Sequence, residues 1–463
     1  MSPGIVLPLL VSVPLLGALA AFVAGDRGRW PALLAIGANA VLAVLLLADA
    51  AGPSAGYVLG GWSAPLGIEL RADGLAALLV GVTAEDVAVA SVYAVGHWPA
   101  GSGPARVFWP LWCLLLTGLN TLFLSRDAFN LYVGLEVMSL AAVALVTIAG
   151  TRAAVRAALR YLLVSLVGSL CYLMGVALLY RAHGVLDLAA LAAAGGAGPL
   201  DGTALALMSA GLLLKTALFP LHFWLPDAHA SAPAPVSAAL SGLVLKATYV
   251  LVLRLWFEIL PATAGSAAAA VVGILGAGAI VWGSVAALRA ERLKQLVAYS
   301  TVAQVGYLFL LFPLIARPET RVVALNAAAL FILAHACAKG AMFLAAGNVL
   351  AVAGHDRIAG LRANAMDAGP TGFALGLAGV SLVGLPPTSG FAAKWLLLEG
   401  AVAADSWWLF AVVVAGGLLA AAYVLRALAP CFDLAGAASG PPAAAVVGGP
   451  RRWAPLALAL AAL

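Results

Sequence analysis

Charge is what this 463-residue chain has least of: 9% of its residues are Asp, Glu, Lys or Arg, against roughly 25% in a soluble globular protein. With 64% hydrophobic residues and a mean hydropathy of +1.08, its surface is not one that water can solvate. Cysteine is scarce too. Cys113, Cys171, Cys337 and Cys431 stand singly in apolar surroundings, with no Cys-x-x-Cys pair and no histidine at ligand spacing, so neither a metal nor a structural disulfide is expected. A nucleotide loop is missing, since Gly276-Ala277-Gly278 lacks a following Lys-Ser/Thr and sits in an apolar run. No basic stripe interleaved with aromatics exists, so the net charge of +5 reads as membrane topology rather than nucleic-acid affinity. No cofactor, nucleotide or nucleic-acid partner is expected, and the chain must be driven by an ion gradient or by a partner.

What the sequence does have is apolar runs of about 20 residues, recurring from one end to the other between short polar or Gly/Pro-rich breaks. They predict an all-α polytopic membrane protein of about fourteen spans, near 4–24, 30–50, 73–96, 106–124, 127–149, 153–181, 203–222, 235–258, 265–289, 294–314, 321–353, 371–399 and 406–428, with a last run from Trp453. Residues 453–463 would rise only about 16 Å as a helix, short of the roughly 30 Å hydrocarbon core, so the natural chain is expected to continue. The first run, Gly4 to Ala24, has no basic residue before it and Arg27 and Arg29 behind it. That polarity marks a retained helix rather than a cleaved signal peptide.

Basic residues give the orientation. One set of alternate loops holds Arg27, Arg29, Arg106, Arg152, Arg156, Arg160, Arg289, Arg292, Lys294, Arg357, Arg362, Arg426, Arg451 and Arg452. The other holds only Arg71, Arg126, Arg181, Arg317 and Arg321. The positive-inside rule puts the first set in the cytoplasm and both termini of the full chain outside the inner membrane. Glu291, Arg292 and Lys294 read as a solvated cytoplasmic turn.

Two spans are interrupted. Phe219-Pro220 ends the seventh helix and Gly384-Leu385-Pro386-Pro387 breaks the twelfth, because proline removes a backbone donor and opens a helix. They lie five helices apart. That spacing predicts, within one membrane domain (1–463), N-terminal helices 1–3 (1–96), a first repeat of helices 4–8 (106–258), an inverted second repeat of helices 9–13 (265–428) and the start of helix 14 (453–463).

Five lysines occur in the chain, and four of them, Lys215, Lys246, Lys339 and Lys394, fall inside predicted spans. Each costs about 2.5–3.5 kcal/mol at a helix centre, so together they cost on the order of 10 kcal/mol before pairing. Function is the better explanation. Glu136 lies near mid-depth of the fifth helix and is the natural partner for one of them. His335 and Lys339 are four apart and share a helix face. Histidine titrates near neutral pH and a desolvated ammonium gives up its proton more readily than a solvated one. A Glu/Lys/His series of this kind can hand protons on without bulk water. His222 and His229 flank the first break, either as auxiliary proton groups or as loop residues bonded to freed backbone. Glu85-Asp86 in the third helix either faces a neighbouring subunit or wet groove or forms an additional cation or proton site.

These residues resemble a known family over roughly 70–400. The most specific stretch runs Leu214-Lys215-Thr216-Ala217-Leu218-Phe219-Pro220-Leu221-His222-Phe223-Trp224-Leu225-Pro226-Asp227-Ala228-His229, followed by Ala232-Pro233 and Leu245-Lys246. Further matches are Leu293 to Ser300 with Gln304-Val305-Gly306-Tyr307, His335 to Lys339, and Gly384 to Gly390 leading to Lys394. The wording is similar to the antiporter-like membrane subunits shared by Mrp-type cation/proton antiporters, respiratory complex I and energy-converting hydrogenases. The resemblance implies a hydrophilic axis through Glu136, Lys215, Lys246 and Lys394. Lysine at 394 looks most like the D-type Mrp subunit, whereas Glu85-Asp86 departs from the family pattern. Three functions follow: an Mrp-type subunit exchanging protons for Na+ among other membrane subunits, a proton-pumping subunit of a complex I-like or hydrogenase assembly, or a proton-inactive scaffold for carbon-uptake or redox partners. With no quinone, flavin or cluster motif in the sequence, redox chemistry would belong to those partners.

Overall fold

A computed structural model of the chain describes residues 3–49, 55–63, 65–196, 198–361, 370–432 and 447–463. Arg362, assigned above to a cytoplasmic loop, lies outside them. The order begins α1 (Pro3–Ala24), α2 (Arg29–Asp49), β1 (Ala55–Val58), β2 (Glu69–Ala72), α3 (Gly74–His97), α4 (Gly103–Leu124), α5 (Ala128–Thr147) and α6 (Arg152–His183). The short α7 (Leu188–Ala193), then α8 (Pro199–Thr216), α9 (Leu225–Ser231), α10 (Ala234–Ala239) and α11 (Leu245–Arg254) follow. The rest is α12 (Ser266–Arg289), α13 (Leu293–Leu310), α14 (Phe312–Ile315), α15 (Arg321–Ala353), α16 (Pro370–Val383), α17 (Ser389–Ala403), α18 (Trp407–Leu428) and α19 (Pro450–Ala461).

Eleven helices among the described residues are long and apolar enough to cross a membrane. The chain is a multi-pass helical membrane protein. Outside these eleven stand the segments expected to be interrupted: α8 has 18 residues, and α16 and α17, of 14 and 15 residues, lie on either side of the second break. The terminal α19 has 12. Large apolar side chains such as Val23, Leu34, Leu163 and Leu418 stand exposed, which in a chain this apolar makes a surface for lipid.

The chain divides into two compact units. The first comprises Met1–Ala88, Trp98–Thr216 and Leu243–Gly265. Here β1 and β2 pair antiparallel, with Ala55 opposite Ala72 and Val58 opposite Glu69. The side chain of Asp127 caps α5 by accepting from the Asn130 amide at 2.7 Å, which satisfies one of the four orphan donors of a helix start. Helices α6 and α8 approach at Gly168 and Gly211, where a Cβ on Gly211 would come within 2.2 Å of the Gly168 carbonyl. Any side chain there would push the helices apart.

The second unit comprises Val89–His97, Ala217–Gly242 and Ser266–Leu463. Its core is a contiguous apolar cluster that includes Leu296, Met342, Phe343, Leu382, Tyr423 and Leu458, drawn from α13, α15, α16, α18 and α19. Thr388 caps α17, its hydroxyl accepting from the Phe391 amide at 3.2 Å. That cap restarts the helix after the Gly-Leu-Pro-Pro break.

Candidate functional site

In the first unit Lys215 stands in the last turn of α8, packed where α6 and α8 meet. The absent side chain of Gly168 leaves room for it, since a Cβ there would lie 3.0 Å from the Lys215 Cγ. The ammonium donates to the hydroxyls of Ser139 at 2.8 Å and Ser165 at 2.7 Å, and lies 3.8 Å from the Glu136 carboxylate. The Ser169 hydroxyl donates to the same carboxylate oxygen. Lys215 is 4% exposed, so α5, α6 and α8 together replace its water with two hydroxyls and one carboxylate. The helix ends here. Thr216 turns back to the Leu212 carbonyl at 2.7 Å and meets the Thr248 hydroxyl at 2.9 Å. Ala217 sits at φ 57°, a left-handed conformation a Cβ disfavours. Chain direction changes through 217–224 before α9 begins.

Lys246 lies on α11, which is flanked by two π-helical turns, Leu240–Val244 and Leu255–Ile259, and is 1% exposed. Such turns shift helical register and recur at functional sites. Asp86 of α3 is buried, while Glu85 beside it is exposed.

The second unit buries the other predicted groups. Lys339 on α15 donates to the Val297 carbonyl at 3.0 Å and to the Ser300 hydroxyl, both on α13. His335, one turn earlier, is buried with its ring 6.1 Å from that of Phe331. Lys394 on α17 donates to the carbonyls of Leu382 at 2.7 Å and Val383 at 3.0 Å, the ones freed where α16 stops, and lies 4.5 Å from the centre of the Tyr307 ring. Gly384 makes this possible. At φ 86°, with a hypothetical Cβ 2.7 Å from the Lys394 Cδ, a side chain there would strain the backbone and press on the lysine stem. His222 stacks on Phe219 with centroids 5.6 Å apart, and its buried Nδ1 makes no hydrogen bond. His229 is buried beside Phe343.

One expectation is corrected. Lys294 is not part of a solvated turn: it is buried and donates to the Ala232 carbonyl at the end of α9. Glu291 and Arg292 stay exposed, and Arg292 pairs with Asp356 at 2.8 Å. The lysine folds inward because its stem can follow the apolar wall while its head finds a carbonyl.

Sequence reasoning missed two further groups. On α13, Gln304 donates to the Leu382 carbonyl at 3.2 Å and to the Tyr423 hydroxyl at 2.8 Å. Ser300, Gln304 and Tyr307 thus form a polar stripe from the Lys339 ligand to the Lys394 ring. Their spacing of four and three was a legible face. The second is a charge cluster in the first unit. Arg254 forks onto Asp73 at 2.7 and 2.8 Å and reaches Glu258 at 2.9 Å, while Arg126 lies 3.6 Å from Glu258. Burial raises the Asp73 carboxyl, but the hydrogen bond and charge of Arg254 outweigh it and hold the group at about 2.

The pattern described as NADH:quinone oxidoreductase/Mrp antiporter, TM, matches residues 125–420. The N-type subunit of NADH-quinone oxidoreductase from Desulforudis audaxviator (strain MP104C) is 40% identical over 378 residues, 80% of this chain and 74% of that protein. The D-type subunit of the Na(+)/H(+) antiporter from Alkalihalophilus pseudofirmus (strain ATCC BAA-2126 / JCM 17055 / OF4) is 30% identical over 366 residues, 78% and 72% respectively. Among solved structures, the Mrp complex from Dietzia sp. DQ12-45-1b includes a chain that superposes with a TM-score of 0.91 at 26% identity, covering 100% of this chain and 94% of that one. With the family pattern spanning well over half its length and all of its buried lysines inside that span, the chain belongs to the NADH:quinone oxidoreductase/Mrp antiporter transmembrane family.

Proposed function

We propose that the chain is the proton-translocating subunit of a multisubunit Mrp-type complex of the inner membrane, exchanging protons for Na+. The observation that carries this reading is the buried Lys215 ammonium 3.8 Å from Glu136. A carboxylate about 4 Å from an ammonium, at an effective dielectric near 20, contributes about 4 kcal/mol. While the pair is closed, that field holds the proton on Lys215. Moving Glu136 away, or protonating it, leaves an ammonium supported only by Ser139 and Ser165, and the proton is free to pass on. Ser169 sets which way the carboxylate points. Lys246, His335, Lys339 and Lys394 supply further carriers, with His222 and His229 as auxiliaries.

The Mrp assignment draws on the superposition over the entire chain and on lysine at 394. A second reading, a proton-pumping subunit of a complex I-like NADH-quinone oxidoreductase, is favoured by the 40% identical relative. Mass spectrometry of the subunits that copurify separates the two. The proton-carrying role itself is tested by Glu136→Gln, which keeps the shape of the side chain and removes its charge. Proton-coupled transport in vesicles should disappear at unchanged membrane abundance, and normal transport would reject the gating role.

A further inference from the structure

A cavity of about 450 Å³ opens in the second unit where α12 ends and α13 begins, within the size range of small-molecule sites. Among the described residues its walls carry Arg289, Arg292 and Arg357 against one carboxylate, Glu291. Backbone pairing brings two of the arginines together. The Leu293 amide donates to the Asp356 carbonyl at 2.7 Å and the Ile358 amide to the Glu291 carbonyl at 2.9 Å, which sets Arg292 directly opposite Arg357 in an antiparallel bridge. This is the non-hydrogen-bonded kind of pair, with Cα atoms about 4.5 Å apart and side chains at their closest. Like charges so placed repel. Asp356 answers one of them, accepting from the Arg292 Nε at 2.8 Å, while Arg289 and Arg357 have no ion pair among the described residues. An anion between the guanidiniums would relieve the repulsion.

Trp282 and Tyr299 form the wall nearer the middle of the helices. They lie seven residues from Arg289 and Arg292, about 10 Å along their helices at 1.5 Å per residue. Trp282 packs against Phe219 and His222, with ring centroids 6.1 and 6.4 Å away. Beyond it α12 stays apolar and exposed at Val281, Ile274 and Val271, which are seven and three residues apart and so share one side of the helix. Basic residues at a helix end, aromatics one layer deeper and an apolar face beyond them follow the layering of a membrane interface.

We propose that this cavity binds the phosphate headgroup of an anionic phospholipid. Arg289 and Arg357 donate to the phosphate oxygens through their planar forks, while Arg292 keeps Asp356 on its Nε and turns the rest of its guanidinium to the same anion. Trp282 and Tyr299 cover the glycerol region, and the acyl chains run along Val281, Ile274 and Val271. A free phosphate offers the same charge but would use neither the aromatic wall nor the apolar face, so the lipid is the source these surroundings favour. The positive-inside rule puts this end of α12 in the cytoplasmic leaflet, where anionic lipids meet basic pockets between helices. The inference stands apart from the proton-translocating reading.

The test uses the purified, delipidated complex in detergent, titrated with dioctanoyl phosphatidylglycerol, dioctanoyl phosphatidylcholine or inorganic phosphate. Native mass spectrometry counts the bound lipid, and the rise in unfolding midpoint reads the apparent affinity. Combining Arg289→Gln with Arg357→Gln should remove a bound phosphatidylglycerol and weaken the affinity about thirtyfold, roughly fivefold for each arginine. Combining Arg152→Gln with Arg156→Gln removes two exposed basic residues outside the cavity and should change neither reading; an equal loss there would reduce the effect to net charge and overturn the proposal. Glu291→Gln removes the carboxylate of the cavity and should tighten binding. Should the double arginine variant fail to accumulate, Glu291→Gln carries the test, and unchanged affinity in it contradicts the site. Phosphatidylcholine binding as tightly as phosphatidylglycerol would overturn the headgroup assignment, and inorganic phosphate matching phosphatidylglycerol at equal concentration would overturn the lipid as source. The same lipid count and affinity in the parent complex and the double arginine variant overturn the site, including the case in which a neighbouring subunit covers it.

Discussion

Lys215 and Lys394 each sit beside a broken helix, yet they are held in opposite ways. Lys215 is held by groups on neighbouring helices: two hydroxyls and a carboxylate 3.8 Å away. Lys394 is held by the break itself, through two backbone carbonyls, and by the face of Tyr307. Carbonyl dipoles and an aromatic quadrupole are fixed, whereas a carboxylate changes its charge with one proton. The same residue type therefore has a partner whose charge can change at one position, and fixed dipoles and a ring face at the other.

The comparison breaks most visibly at the fixed site. Gly384→Ala places a methyl group against the Lys394 stem in a left-handed backbone, and the combined overlap and strain should cost about 3 kcal/mol. Thermal unfolding of the purified complex in detergent reads this as a large fall in midpoint, and an unchanged midpoint would mean that the carbonyl cradle is more pliable than its geometry implies.

At the switchable site the effects should be smaller and coupled. Removing one hydroxyl in Ser165→Ala takes a charged hydrogen bond worth about 2 kcal/mol from the ammonium. Because Ser139 and Glu136 share that ammonium, Ser165→Ala and Ser139→Ala should be non-additive in transport rate. Additive effects would place the two serines in separate roles.

The smallest effect is expected away from both lysines, at Asp73. Its carboxyl is held at about 2, below the ordinary 3.8, so its pairing with Arg254 stabilises the fold fully above 3.8 and is lost as the pH falls through about 2. The Asp73 side chain is 35% exposed, and solvent screening limits the loss in Asp73→Asn at neutral pH to about 1 kcal/mol. Unfolding midpoints taken from neutral pH into the acid range should show a shallower acid decline in the variant than in the parent protein.

The membrane class, the two breaks and the buried lysines were legible because a charge or a proline inside a long apolar run stands out against its surroundings. Serines do not. Ser139, Ser165 and Ser169 are ordinary residues of membrane helices, and their meaning depends on α5, α6 and α8 meeting, which no local pattern announces. Lys294 misled for a related reason: beside Glu291 and Arg292 it has the setting of a solvated turn, and only the tertiary position of the Ala232 carbonyl draws it inward. Gln304 and Tyr307 lay within recognisable wording, but their partners, Tyr423 and Lys394, come from distant helices. An interrupted helix is long in sequence and short as a continuous helix, which is why α16 and α17 stand outside the eleven long apolar helices of the described residues.

The central claim is that Lys215 releases its proton rather than merely carrying a charge, and Lys215→Arg tests it most directly. Arginine preserves the cation and offers more donors to Glu136, so a structural ion pair would tolerate it. A guanidinium cannot be deprotonated in a protein, so a proton carrier would not. In vesicles holding the assembled complex, Lys215→Arg should insert and assemble at normal abundance and lose proton-coupled transport. Near-native transport by that variant would contradict the account and make Lys215 a packing element, with the proton path running instead through Lys246 or His335.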